Sequence, residues 1–354
     1  MKRELSARGI GIGLLAALVA YLGLHLQRGG AAPEARADEA APAPVGVTGP
    51  GCKIKGVAPM VKGAQLFDAA SAGRVIATFT GALVPLALTE IPADPTQGRA
   101  KLSTSDGGAA LRLDGYIAPS EVQVYTTRDI PVINAHVWIS SAQKVKLVGA
   151  TADTLRAELA VAGSEGQTAR GSAPCDAFSL QRGAQVPMDI GGSARGFLMK
   201  RSSIDLHAAP NGDVIFSLKM IEGSSQLFWS TESRGGFVHV VSRGDLTLDA
   251  WARWGDLKAL KKGEMRDQYI PPYTAVAGAQ LTLDQAPPLV KATRDLPIRA
   301  RRDAKEAPIG VLEAGAEVYL LETVAGWTNL LPKSLGMTPP DAGGFWIPSA
   351  EAPK

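Results

Sequence analysis

Residues 235–260 read Gly235-Gly-Phe-Val-His-Val-Val-Ser-Arg-Gly-Asp-Leu-Thr-Leu-Asp-Ala-Trp-Ala-Arg-Trp-Gly-Asp-Leu-Lys-Ala-Leu260, and this stretch decides the fold. The aromatic and β-branched run Phe237–Val241 suits a half-buried strand. Ser242-Arg243-Gly244-Asp245 supplies a turn, Leu246 to Arg253 a second strand, and Trp254-Gly255-Asp256 a short closing turn. The segment Leu111 to Val122, LRLDGYIAPSEV, aligns without gaps on Leu246 to Leu257, LTLDAWARWGDL. A similar order returns at Gly326-Trp327-Thr328-Asn329-Leu330-Leu331 followed by Gly343-Gly344-Phe345-Trp346-Ile347-Pro348-Ser349. A strand grammar repeated along one chain predicts several small β units rather than one large sheet.

Composition bounds the alternatives. At 354 residues the chain exceeds one small core, and 45% apolar residues predict a folded body despite 39 Gly and 24 Pro. The 37 basic and 34 acidic residues nearly cancel, with no clustered basic stripe, which argues against nucleic acid as a partner.

Lys2, Arg3 and Arg8 precede an apolar run, Gly9 to Leu26, that carries no charge, which is the layout of an export signal. The run is longer than a usual signal core and just long enough to span a bilayer, while Gly29-Gly30-Ala31 and Ala35-Arg36-Ala37 offer cleavage sites. Residues 1–28 therefore read as a signal peptide or an inner-membrane anchor, the anchor being favoured, and either places the body in the periplasm or cell envelope. Residues 29–51 are rich in Ala, Pro and Gly and read as a flexible linker. Cys52 and Cys175, the two cysteines, both follow the export segment, so a disulfide between them competes with two unrelated small residues.

The modules then follow in order. Residues 52–134 hold a first strand–turn–strand at Gln65 to Phe79 and a polar loop from Glu90 to Gly108. Residues 135–195 look like a divergent copy, in which Ala152 to Val161 suits either a strand or a short helix. Residues 196–268 are the clearest copy; Asp205 to Leu218 matches Gln65 to Phe79, with Pro210-Asn211-Gly212 as the turn and Gly212 as its left-handed position. Residues 269–293, with Tyr269-Ile270-Pro271-Pro272-Tyr273, read as a Pro-rich linker, and residues 294–354 as the last copy.

The ending shared by Tyr116-Ile117-Ala118-Pro119-Ser120-Glu121-Val122 and Trp346-Ile347-Pro348-Ser349 resembles the bacterial Src-homology-3-like (SH3b) family. The resemblance implies a mainly β chain of tandem small SH3-like barrels. It also implies a targeting or ligand-binding role in the envelope, with peptidoglycan or peptides as ligands. The aromatic polyproline groove of eukaryotic members is not implied, because its Ala-Leu-Tyr-Asp-Tyr start is missing here.

Reaction chemistry is weakly signalled. His136, His207 and His239 stand apart, without metal-ligand spacing, and Gly192-Ser193-Ala194 lacks the form of a nucleophile elbow, so neither a metal nor a cofactor is expected. His239 alternates with Phe237 and Val241 as a strand residue does. Asp68, Asp106, Asp245 and Asp303 sit in turns, where carboxylates cap backbone groups. Among the tryptophans, Trp251 and Trp327 read as core. Phe228, Trp229 and Trp254, beside Arg253 and Asp256, read as an exposed aromatic cleft for a peptide or glycan stem. The expectation is a noncatalytic envelope protein that binds cell wall or peptides. The alternatives are a scaffold for an envelope complex, and a wall hydrolase or peptidase using Cys175 with a histidine.

Overall fold

A computed structural model of the chain describes residues 52–104, 110–222, 225–261, 287–334, 336–340 and 343–354. All of these belong to one compact unit, Val47–Lys354. The segments read as anchor, linker and Pro-rich spacer lie largely or wholly outside the described residues, as does Asp106. Among the described residues, no helix is long and apolar enough to cross a membrane.

The chain is mainly β, and one element order recurs four times. An entry strand pairs with the first strand of a three-stranded meander, a hairpin lies between them in sequence, and a single 3-10 turn ends the copy. The entry strands are Ile54–Pro59, Val124–Thr126, Arg195–Met199 and Leu289–Lys291. The four hairpins start at Gln65–Phe67, Ile130–Ile133, Ser203–His207 and Leu296–Ile298. The closing turns are Pro119–Glu121, Cys175–Ala177, Trp254–Asp256 and Ser349–Glu351. In each turn the residue after it donates its N–H to the carbonyl of the turn's first residue.

Alternation explains the burial. Along Leu246–Arg253, Leu246, Leu248, Ala250 and Ala252 are buried while Thr247, Asp249, Trp251 and Arg253 face outward. Leu111–Ile117 repeats this with Leu111, Leu113, Gly115 and Ile117 inside. Gly115 is required there: a Cβ would lie 2.6 Å from the Phe67 carbonyl oxygen.

The four sheets are open, not closed barrels, and their hairpins take two courses. In the first and third copies the hairpin stays at home, pairing Phe67 with Tyr116 and His207 with Trp251 on the last meander strand. In the second and fourth copies it is given away. Val137–Ile139 pairs antiparallel with Leu246–Leu248 of the third copy, and Gly310–Leu312 with Leu111–Leu113 of the first. The two junctions share one register: Trp138 opposes Thr247, as Val311 opposes Arg112. Each donated hairpin is also held alike, because Asp129 Oδ1 accepts the Ser141 N–H at 2.9 Å and Asp295 Oδ1 accepts that of Ala314 at 2.8 Å. Among the described residues, the second hairpin packs on its home strand without pairing, as at Gly171, and the fourth makes a single bridge, Arg299 to Trp346.

Three local expectations resolve. Residues Thr154–Ala160 form a strand, paired on both edges, which excludes the helix. In the Pro210-Asn211-Gly212 turn the left-handed residue is Asn211, at φ 60°, and not Gly212. Cys52 and Cys175 are disulfide-bonded, 123 residues apart with Cα atoms 5.3 Å apart, joining the entry of the first copy to the closing turn of the second.

Candidate functional site

The outer face of the third copy is assembled by register. Reading across the sheet, Gly196, Trp229, Val241 and Asp249 form one row. His239, Trp251 and His207 form the next, and Arg243, Thr247 and the donated Trp138 the one before. Because neighbours in a row point to the same side of a sheet, three half-buried indoles share this face with Asp249: Trp138 and Trp251 on the rows to either side, and Trp229 on its own row beyond Val241.

Polar groups fix the centre. His239 Nε2 donates to Asp249 Oδ1 at 2.6 Å, and the imidazole lies 5.1 Å from the Trp251 ring. The Asp249 side chain is 50% exposed and its other oxygen makes no hydrogen bond among the described residues. His136 Nδ1 donates to the Asp249 carbonyl at 2.9 Å, which ties the donated hairpin to the same residue. His207 is buried; its Nδ1 donates to the Gly212 carbonyl at 2.7 Å, and its Nε2 has no partner among the described residues. Arg243 is spent on Asp129, at 2.5 Å, and that carboxylate also accepts from the Thr247 hydroxyl. Among the described residues, the face thus combines three indoles with an Asp249 oxygen that accepts no hydrogen bond.

The residues expected to line a cleft are divided by the fold. Phe228 is 0% exposed and points into the core, so it offers no surface. Trp229, its neighbour, points the other way, onto the outer face beside Gly196 and Leu260. Consecutive strand residues cannot line one groove, and the expected Phe228-Trp229 pair is corrected on that ground. Arg253, Trp254 and Asp256 do come together at the closing turn. Trp254 is 45% exposed and stands edge-on to Phe197 at 5.6 Å, capping the end of the core, while Arg201 lies 3.4 Å from Asp256. Trp251 and Trp327, expected in the core, are half-buried outer residues, and Trp327 lies under Arg299 at 5.8 Å. Trp138, Asp249 and the outward role of Trp251 were missed, although the alternation from Leu246 to Ala252 marks the last two.

The first copy carries the same frame with other side chains. Its corresponding row is Lys55, Ala87, Ser103 and Asp114, and Tyr116, Lys101 and Val311 stand where Trp251, His239 and Trp138 stand. Small residues leave an open trough of about 560 Å³ there, rimmed by Lys55, Gln181, Arg112 and Glu313. Among the described residues, no three His, Cys, Asp or Glu side chains converge as a metal site.

No family model matches the chain. No curated protein matches it either. Among solved structures, NlpC2 from Trichomonas vaginalis is similar over 45% of this chain and 48% of that one, at 13% identity and a TM-score of 0.15. The match spans under half of that protein's length, and at this TM-score it carries no argument about fold or function.

Proposed function

We propose that this chain is a noncatalytic, exported cell-envelope protein whose SH3-like copies, fused into one body, bind cell wall or peptide ligands on their outer sheet faces. The observation that carries the reading is the contrast between two faces built on one frame. Outer side chains that the frame does not dictate are indoles around Asp249 in the third copy and small residues around a trough in the first. The thiol that a hydrolase reading needs is bonded to Cys52, which removes Cys175 as a nucleophile while the bridge stands. The test is cosedimentation of the full chain with purified wall sacculi: retention in the pellet is expected, and loss of all pelleting would sink the wall reading.

The hairpin exchange favours a second reading, a scaffold for an envelope complex. Ladders between copies make one body of what could have been independent beads, as an assembly component requires. This reading expects a stable protein partner in pull-downs and no wall affinity.

A further inference from the structure

We propose that the outer face of the third copy is a carbohydrate site for an uncharged pyranose chain, read by Trp138, Trp229, Trp251 and the His239–Asp249 pair. The inference rests on the wall-binding reading and names the wall component, its glycan and not its peptide.

The indoles are surplus to the fold. At the matching positions the first copy builds the same ladders with Ala87 for Trp229, Val311 for Trp138 and Tyr116 for Trp251. A large aromatic side chain half-buried on a frame that closes without it has another use. The ring faces of indole are electron-rich, and a pyranose presents flat faces of C–H bonds, slightly positive, which stack on them. The same ligand carries hydroxyls that need acceptors, and the Asp249 oxygen that takes no hydrogen bond among the described residues is one on the same face.

Charge selects against the alternatives. Arg243 is paired with Asp129, so this guanidinium is not open to an anionic ligand, and Asp249 leaves a carboxylate on the face. A stem peptide with several carboxylates would meet Asp249 as a like charge. The rows of Trp138 and Trp251 are four residues apart along the Leu246–Arg253 strand, or about 13 Å, which fits an oligosaccharide rather than a single sugar.

The experiment titrates the full chain with a soluble β-linked N-acetylglucosamine oligosaccharide and follows indole fluorescence, with whole sacculi pelleted in parallel. Saturable binding is expected, weakened about tenfold by Trp251→Ala and by Asp249→Asn, and unchanged by Tyr116→Ala at the matching position of the first copy. Trp229→Ala is expected to weaken binding without loss of the folded state, since alanine stands there in the first copy. If a tryptophan variant unfolds, Asp249→Asn carries the test alone. Pelleting with sacculi but no response to the oligosaccharide would overturn the glycan inference and leave the wall reading standing. Response to the sugar without pelleting would keep the site and remove the wall reading. Equal weakening by Tyr116→Ala and Trp251→Ala would overturn the location.

Discussion

The first and third copies share a backbone plan and differ in what they do with it. Each keeps its own hairpin on one half of its last meander strand and receives another copy's hairpin on the other half, in the same register. Yet the first is tied by a disulfide at its entry and presents a trough, whereas the third has no covalent tie and presents indoles. The lesson is that register and inward side chains define the frame, while outward side chains are free to specialise. Junctions between copies sit between these extremes, because the same ladder is locked by different side chains in the two places.

The largest expected effect removes the covalent difference. Replacing Cys52 and Cys175 by alanine opens a loop of 123 residues and should cost about 4–5 kcal/mol in the chain-entropy model. Denaturant unfolding of the double variant checks this. Because ladders join the copies, one transition at lower denaturant is expected, seen by all signals together; an early transition confined to the first and second copies would show that the copies unfold separately.

The junctions can be broken next. Arg243→Ala deprives the part-buried Asp129 of its 2.5 Å partner and should lose about 2–3 kcal/mol. Asp295, the matching residue at the other junction, holds only the Ala314 N–H among the described residues, and Asp295→Ala should lose about 1 kcal/mol. Equal losses, measured by thermal unfolding, would erase the distinction between the two seams.

Gly310 and Val137 occupy matching places and should respond in opposite senses to size. A Cβ on Gly310 would stand 2.0 Å from the Arg112 carbonyl oxygen, so Gly310→Ala should cost about 1–3 kcal/mol and expose the 296–312 hairpin to protease. At the other junction it is Val137→Ala, a loss of two methyl groups, that costs about 1.5 kcal/mol. A neutral Gly310→Ala would disprove the close approach.

The smallest effect is electrostatic. Burial beside the first closing turn holds the Glu121 carboxyl above its ordinary 4.5, against the opposing pull of the Gln65 N–H and Arg99. The folded chain therefore holds this proton more tightly than the unfolded chain, and stability falls as pH rises from the ordinary carboxylate range through the raised value. Glu121→Gln should melt higher than the parent chain near neutral pH and equal it in acid below both values. The same difference in acid and at neutrality would refute the assignment.

Much of the frame was legible in the sequence, for reasons that particular residues show. The ungapped match of residues 111–122 to 246–257 reports strand, turn and inward face, because inward positions must be apolar and the period of two leaves no slack. The partner of a strand is another matter. Asp129-Ile130-Pro131-Val132 and Asp295-Leu296-Pro297-Ile298 look alike and do alike, but their alternation is the same whether the hairpin stays home or crosses over. The expectation of closed barrels also failed, in the copies that keep their hairpins as in those that give them away. At the site, reading Phe228 and Trp229 as one aromatic unit ignored the pleat that sends them apart. Trp138 was out of reach, since it joins Asp249 only through a ladder between distant parts of the chain.

The position of the Cys52–Cys175 bond has a mechanical consequence. Ile54–Pro59 is an edge strand, and a pull applied on the N-terminal side of Cys52 would ordinarily peel it from Leu83–Glu90 one rung at a time. With the bond in place the load passes through sulfur into the second copy before it reaches the first rung. Tension along the polypeptide is thus carried past the Ile54–Pro59 ladder by a covalent link.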